Sequence, residues 1–570
     1  MLRLSYFLVV AVCMLPTIPG LLGVAASSMS YIPPIGMVQP SLSGFVQAFE
    51  WQGVFKSVGL TVVTSLLSTI FTCIVTYSII QRFWGQRAWQ RVEWCLSPLM
   101  SMPHVAYAIG FAFLFAPTGL SVRAFFQLFG IDLTGAGEDD FATLVQDPLG
   151  LGLTLMLTLK EVPFLLLMSI PVLKQLEIDK AEKVCLSLGY QRHEFWWKCM
   201  FSQWLIKMRF PLLAVLAYGI SVVDVALILG PTNPPTFAVL VWQWFNDPDL
   251  TLLPRASAGA MLLFLVAGFM IGVVRLIEWL VTKRLRQWQI SGRAGLKLPG
   301  ATLLSIIITI SGSMIPLMAI WSVAQRWRFP DFLPSRYSTR FWEYEWSGII
   351  STVEQSLTLA LISASCALLF AIIAHEYRVK YRGQVPGYLI AVPMLIPQLS
   401  ILFGFQTITL VVGGSHYWLW VCWAHMFFAF PFVYLALDGP WRSYNQGFTR
   451  VALSLGKTPL SVFFSVKFPQ LFSAIIFAWA VGVSVSLAQY LPTLMLGAGR
   501  ISTLTTEAVA LSSGFDRRVT AIYAIWQAFL PLLFFIFAIV MSRASRLRLK
   551  LYIFKGSTIN ESVSKKPHHP

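Results

Sequence analysis

The clearest ionisable side chains within long apolar runs of the sequence are Lys160, Glu161 and Asp224. A charged group at bilayer depth is costly unless it is paired or hydrated, so such residues commonly mark a route for ions or solutes. Adjacent residues of a helix point about 100° apart, so Lys160 and Glu161 are not expected to pair, and at least one needs a partner on another helix. Asp224 is a candidate partner for Lys160. An ion pair that locks two helices together explains these residues as well as contact with a solute does.

His104, His425 and Gln489 are further polar residues in apolar surroundings. A neutral imidazole is satisfied by one neighbouring carbonyl group, and this structural role is the favoured interpretation of both histidines. His425 and Gln489 are nevertheless candidates to line the same route.

Sequence motifs for catalysis and for cofactor binding are missing. We find no HExxH, no GxSxG and no clustered carboxylates. The tripeptide that begins at Gly456 resembles the end of a phosphate-binding loop, but Val451 occupies the position where that motif needs a glycine. The seven cysteines show no CxxC spacing. We therefore expect no catalytic residue, no ATP site, no metal site and no disulfide in this chain.

Composition indicates an integral membrane protein. Of 570 residues, 56% are hydrophobic and only 12% are charged, and the mean hydropathy is +0.70. A run of about 20 apolar residues crosses a bilayer as a helix. We predict an all-α fold with about twelve such spans, near residues 5–26, 57–80, 97–117, 149–173, 208–230, 257–281, 301–323, 352–374, 387–411, 416–437, 471–491 and 521–542. The first run exceeds the usual signal-peptide core of about 7 to 15 residues, so a retained span is favoured over a cleaved one.

Charge in the connections predicts the orientation. Lys and Arg concentrate in the even-numbered connections and in both tails, which places both termini in the cytoplasm. The net charge of +17 is carried by short loops, not by a soluble basic domain, so no nucleic-acid partner is expected.

The two halves of the sequence repeat each other. The segment from Lys183 to Gly189 (KVCLSLG) matches the segment from Arg450 to Gly456 (RVALSLG), and in each half another glycine follows 41 residues beyond the loop glycine. We therefore predict two pseudo-symmetric six-helix repeats in parallel topology. The predicted units are 1–282 (first repeat), 283–300 (cytoplasmic linker), 301–545 (second repeat) and 546–570 (basic cytoplasmic tail).

Each repeat carries one long cytoplasmic loop between its fourth and fifth span. We predict a helix, a break at Gly189 or Gly456, and then a short amphipathic segment with exposed aromatics. Exposed aromatics at helical spacing suit insertion into a groove of another protein, although they could equally pack the loop onto the membrane surface. Two matched loops favour docking, and the predicted docking residues are Lys183, Gly189, Phe195, Trp196, Trp197, Arg450, Gly456, Phe463, Phe464 and Pro469.

These loops resemble the cytoplasmic EAA loop in the permease subunits of binding-protein-dependent ABC importers. The family's loop has a glycine followed by a hydrophobic-Pro dipeptide. Here the dipeptide is Phe468-Pro469, and its proline lies thirteen residues after Gly456. The first loop departs from the pattern because Ser202 replaces the proline, and neither loop keeps the leading Glu-Ala-Ala. The resemblance covers essentially the whole chain, and the doubling looks like the fused permeases of iron(III) and thiamine importers.

The resemblance implies a MetI-like permease fold in a bacterial inner membrane. It also implies two copies of an ABC ATPase subunit as partners, which would hold ATP and magnesium, and a periplasmic solute-binding protein. An ion-coupled secondary transporter is the alternative, since such carriers can also have two six-helix halves. It offers no reason for two matched loops.

Overall fold

The computed structural model describes residues 2–131, 144–284, 287, 291–292, 295–381, 387–412, 416–514 and 516–564. Parts of the predicted linker and tail lie outside these residues. Within them the chain is helical, apart from one antiparallel hairpin of strands β1 (Ala324–Arg326) and β2 (Arg336–Tyr337). The predicted all-α membrane fold is confirmed, whereas the boundaries of the four sequence units stay predictions.

Helices of the first half are numbered α1 to α15 in chain order. Their bounds are α1 Leu2–Cys13, α2 Thr17–Ser28, α3 Ser43–Glu50, α4 Val54–Phe83, α5 Trp89–Ser101, α6 His104–Phe115, α7 Leu120–Phe129, α8 Leu151–Gln175, α9 Ile178–Ser187, α10 Arg192–Phe195, α11 Phe201–Lys207, α12 Arg209–Ser221, α13 Asp224–Leu229, α14 Phe237–Phe245 and α15 Leu253–Trp279.

Helices of the second half are numbered α16 to α26. Their bounds are α16 Gly300–Val323, α17 Arg340–Tyr381, α18 Gly387–Leu395, α19 Gln398–Val412, α20 Tyr417–Ser443, α21 Gln446–Ser454, α22 Pro459–Val462, α23 Phe468–Leu487, α24 Leu491–Gly497, α25 Leu504–Ser512 and α26 Arg517–Ser564.

The spans differ from the predicted twelve in two places. Among the described residues, ten helices are long and apolar enough to cross a membrane, and one bent pair can be counted as an eleventh. In that pair, whose second helix begins the predicted run 208–230, Arg192–Lys207 meets Arg209–Ser221 at 64°. The predicted run 387–411 is divided into α18 and α19 next to Pro397, because proline lacks the amide that would continue the helix.

The first span of each half packs against the third span of the other half. Helix α2 lies on α19, and α16 lies on α6. At the first crossing a Cβ added to Gly23 would sit 2.9 Å from the Gly404 Cα, so the two backbones are in contact. At the second, Gly110 meets the Met314 side chain, where an added Cβ would sit 2.8 Å from Cβ. Gly110 and Gly404 occupy matching positions of the repeat, and small residues allow this approach.

The fifth span of each half is broken near its C-terminal end. Helix α12 is followed by an extended Val222 and then by α13, while α23 is followed by residues 488–490 and then by α24. Broken backbone is tolerated at membrane depth only where protein groups satisfy it. At the second break the Thr505 hydroxyl donates to the Leu487 carbonyl at 2.5 Å.

We predict that Gly404→Ala destabilises the protein and that Gly312→Ala does not. An added Cβ at Gly404 would clash with the Gly20 carbonyl oxygen, whereas at Gly312 it meets no atom within 4 Å. Overpacking of this kind costs about 1–3 kcal/mol, while Ala in an open helical position is favourable. Thermal unfolding in detergent measures both variants. Equal transition temperatures would contradict the close contact between α2 and α19.

Candidate functional site

The first of the two long loops between the fourth and fifth spans is a chain of short helices around one sharp turn. Helix α9 ends before Gly189, whose φ of +82° is in the left-handed region. Helix α10 follows, then a π-helical turn at Trp196–Met200, then α11. Positive φ favours glycine, which explains why the helix ends and reverses there.

The second loop has the same construction. Helix α21 ends before Gly456, with φ +81°, and α22, a π-helical turn at Phe463–Lys467 and α23 follow in order. The two π-helical turns occupy the same position relative to the loop glycine. Single π turns are rare and are frequent at functional sites, so their duplication at matching positions indicates a shared role.

Exposed apolar side chains lie on the helix before each glycine. In both loops three apolar residues at matching positions of the repeat are exposed, and they are Val184, Leu186 and Leu188 in and after α9 and Val451, Leu453 and Leu455 in and after α21. The predicted basic residues Lys183 and Arg450 are exposed beside them. Clustered exposed apolar groups mark surfaces for another molecule, and here the exposed positions occur twice.

The prediction of exposed aromatics is wrong for the first loop. Phe195 and Trp196 are both 0% exposed and Trp197 is half-buried. They pack against Tyr77 of α4, whose hydroxyl donates to the Trp196 carbonyl and whose ring lies 5.1 Å from that of Trp204. Tyr77 offers a large apolar face to the rings together with a donor for the backbone, so the loop is held to the bundle by its aromatics.

The aromatics of the second loop are less buried. Phe463 is half-buried and Phe464 is 61% exposed. Pro469 lies in the first turn of α23, directly after the π-helical turn, and the half-buried Ser202 takes its place in the first loop.

A buried ion pair holds the second loop. The Lys467 ammonium pairs with Glu376 of α17 and lies 5.1 Å from the centre of the Trp441 ring, whose Nε1 donates to the same carboxylate at 2.9 Å. The first loop has Met200 at the position of Lys467, so it has no equivalent ion pair there. Sequence reasoning missed Tyr77, Glu376 and Lys467, because their partners are distant in sequence and no local pattern marks them.

The segment that joins the halves also lies against the first loop. The Lys198 ammonium donates to the Ser291 carbonyl at 2.9 Å. Gln81 of α4 donates to the Leu296 carbonyl at 2.9 Å and accepts from the Leu298 amide at 3.1 Å.

Glu161 pairs with a histidine from another helix. Its carboxylate lies 2.8 Å from His104 Nε2, and the His104 ring packs at a tilt against Tyr218 of α12, with ring centres 4.4 Å apart. Asp224, at the start of α13, interacts electrostatically with His104 and with Tyr490 of the second half. Glu161 and Asp224 are thus both neighbours of His104, and Asp224 is also within electrostatic range of Tyr490, which belongs to the second break.

Lys160 is not paired with Asp224, so that expectation is wrong. Its ammonium donates to the Leu99 carbonyl at 2.7 Å. Leu99 lies in the last turn of α5, and the extended Met102 ends that helix, so this carbonyl has no amide of its own helix beyond it. Lys160 therefore supplies a donor that the end of α5 leaves missing.

His425 and Gln489 come together in a separate buried cluster. His425 Nδ1 lies 2.8 Å from the Ser486 hydroxyl and Nε2 lies 2.8 Å from the Thr493 hydroxyl. Gln489 donates to the His425 carbonyl at 3.1 Å. The expected carbonyl partner for the imidazole is replaced by two hydroxyls, which satisfy both ring nitrogens and favour a structural role.

Comparison with known proteins decides the class. The Escherichia coli K12 protein named inner membrane ABC transporter permease protein YnjC is 31% identical over 530 residues, which are 90% of this chain and 94% of that protein. The chain belongs to the permease subunits of ABC transporters. The permease is also 25% identical over 228 residues to the putrescine transport system permease protein PotI of the same strain, covering 37% of the permease and 81% of PotI. No protein-family model matches.

This membership confirms the resemblance drawn from the loops. The short PotI match is consistent with a permease built from two fused repeats, and the permease is a multi-pass inner-membrane protein. Over the part of the chain that the structure describes, no group of three or more His, Cys, Asp or Glu residues is placed to hold a metal ion.

We predict that Lys160→Met destabilises the protein by about 1–3 kcal/mol, because it leaves the buried Leu99 carbonyl without its donor. Thermal unfolding in detergent measures the loss. Lys207, whose ammonium donates to Gln175 at 3.0 Å on the protein surface, serves as the control, and Lys207→Met should leave the transition temperature nearly unchanged. Equal transition temperatures for the wild type and Lys160→Met would contradict the assigned role of Lys160.

Proposed function

We propose that the permease forms the solute pathway of an ABC importer and that ATPase subunits drive it through both cytoplasmic loops. The observation that carries this proposal is the pair of exposed apolar triads beside Gly189 and Gly456. Two equivalent surfaces on one chain suit two copies of one partner, so two ATPase subunits would dock, one on each loop. Those subunits would hold ATP and magnesium.

The proposed mechanism is alternating access. Movement of α9 by the ATPase would pass through Gly189, the π-helical turn and α11 to α12, since these elements follow one another without a long linker. At the bend between α11 and α12, the Arg209 guanidinium pairs with Glu278 of α15 at 2.5 Å, so the fifth and sixth spans would move together. ATP-driven closure would rock the halves and open the space between them to each side in turn.

The space beside the two breaks is the proposed pathway. Glu161, His104 and Asp224 lie there at the interface of the halves, and a rocking motion would alter their separation from Tyr490. Lys160 and the His425 cluster support the fold around it. A solute-binding protein would deliver solute to the outer face, and both termini would be cytoplasmic, on the same side as the two loops.

We predict that Gly456→Val uncouples ATP hydrolysis from uptake while Gly456→Asn keeps much of the activity. An added Cβ at Gly456 meets no atom within 4 Å, so the left-handed φ is the main strain, about 1–2 kcal/mol for a branched residue. Asn tolerates this region far better than Val. Uptake and solute-stimulated ATPase in proteoliposomes give the measurement. Normal uptake by Gly456→Val would count heavily against the scheme.

We also predict that charges on the exposed triads release the ATPase. Leu188→Glu and Leu455→Glu should each weaken retention of the co-purifying ATPase, and together they should abolish it, a loss of at least about 2 kcal/mol per site if these are central contacts. Leu250→Glu is the matched control, because Leu250 is also exposed but lies at the opposite end of the bundle. A wild-type permease that retains no ATPase would instead favour an ion-coupled carrier.

A further inference from the structure

Two cysteines meet inside the first cytoplasmic loop. Cys185, on α9, and Cys199, in the π-helical turn, have their sulfur atoms 3.7 Å apart. Both side chains are half-buried, and Gly189 lies between them in the sequence. The pair therefore joins the helix that carries the first exposed triad to the turn that leads into the fifth span.

We propose that Cys185 and Cys199 are a modification site, at which a hydroperoxide forms an intramolecular disulfide that fixes the first loop. Cytoplasmic disulfides are in general transient and redox-sensing, so a reversible link fits this compartment. The cross-link itself follows from the two thiols alone, whereas its effect on transport rests on the proposed function.

The geometry allows the link with a small movement. A disulfide holds its sulfur atoms about 2.05 Å apart, so they must approach by roughly 1.7 Å. The two cysteines are separated by 14 residues of a loop that already reverses direction at Gly189. Side-chain rotation, with a slight shift of α9, brings them within range.

The second loop cannot form this link. Ala452 and Val466 stand at the positions that correspond to Cys185 and Cys199 in the repeat. The backbones of the two loops follow the same order of helix, glycine and π-helical turn. The two thiols are therefore a difference in side chains between loops of similar backbone structure. One loop would respond to oxidant and the other would not.

The chemistry balances with a hydroperoxide as oxidant. One thiolate attacks the outer peroxide oxygen, the O–O bond breaks, and the products are a sulfenic acid and an alcohol, or water when the oxidant is hydrogen peroxide. The second sulfur then attacks the sulfenic sulfur and displaces hydroxide, which leaves as water with the remaining thiol proton. The two thiols lose two electrons and two protons, and a thiol reductant restores them by exchange.

The first experiment measures the link without reference to transport. The full-length permease in detergent is treated with hydrogen peroxide, alkylated and digested, and the peptides are analysed by mass spectrometry. We expect a Cys185–Cys199 peptide pair that disappears with dithiothreitol and is absent in Cys185→Ala and in Cys199→Ala. Cys95 is exposed on α5 and reports how far the peroxide has acted. Oxidation of Cys95 with no Cys185–Cys199 link would overturn the proposal.

The second experiment tests the consequence. In proteoliposomes with the ATPase, peroxide should lower uptake by the wild type at least about fivefold, the lower end of ordinary coupling between sites. Dithiothreitol should restore it, and the Cys185→Ala permease should not respond. Full uptake by a cross-linked permease would contradict the proposal that the disulfide fixes the first loop and stops transport. If the untreated wild type shows no uptake at all, that result counts against the proposed importer function. The cross-link found in the first experiment would not be affected.

A transplanted pair provides a matched control. Ala452→Cys and Val466→Cys, introduced together into a permease that lacks both native cysteines, should form a peroxide-dependent link in the second loop and restore the sensitivity of uptake. Failure to cross-link there would show that the two loops differ in backbone as well as in side chains. It would contradict the claim that only the two thiols distinguish the first loop at this site.

Discussion

Every backbone polar group within a bilayer has to find its partner inside the protein, and at two helix breaks this structure meets that demand with a side chain from another helix. Lys160 donates to the Leu99 carbonyl, in the last turn of α5. Trp423 does the same, at 3.3 Å, for the carbonyl that precedes Pro16 by one helical bond. Each such bond joins two spans. The bends are therefore fixed by tertiary contacts, and the packing of the bundle and the shape of its helices are one problem.

The same demand separates the buried polar residues by role. Lys160 satisfies backbone and His425 satisfies two hydroxyls, so both are explained by the fold. Glu161 has no such explanation in the backbone, since its partner is His104, and Asp224, which accepts backbone hydrogen bonds at the start of α13, interacts electrostatically with the same histidine. A buried carboxylate is costly, and it persists where a histidine compensates it or where a function requires it. The two carboxylates consequently carry the proposal of a pathway, and the lysine does not.

The features that could be predicted from sequence alone are those that occur in both repeats or that depend on a local sequence pattern. The all-helical fold follows from apolar runs of the right length, and the glycine turns of the loops follow from KVCLSLG and RVALSLG. Exposure of Phe195 and Trp196 was predicted wrongly, because their burial depends on Tyr77, more than a hundred residues earlier in the chain. Exchange of the first spans between the halves was likewise hidden, since a glycine such as Gly404 reveals a contact only when its partner helix is known.

Fusion of two permease repeats into one chain removes the requirement that the two loops be identical. The first loop is held by a cage of aromatics around Tyr77 and by the linker, which exists only once per chain. A buried Lys467–Glu376 pair holds the second loop instead, at a position where the first has an apolar Met200. The two loops are therefore held by different interactions, tilted and edge-on ring contacts in the first and a charge pair in the second. Because the first loop has Met200 in place of Lys467, loss of the charge pair would loosen the second loop only.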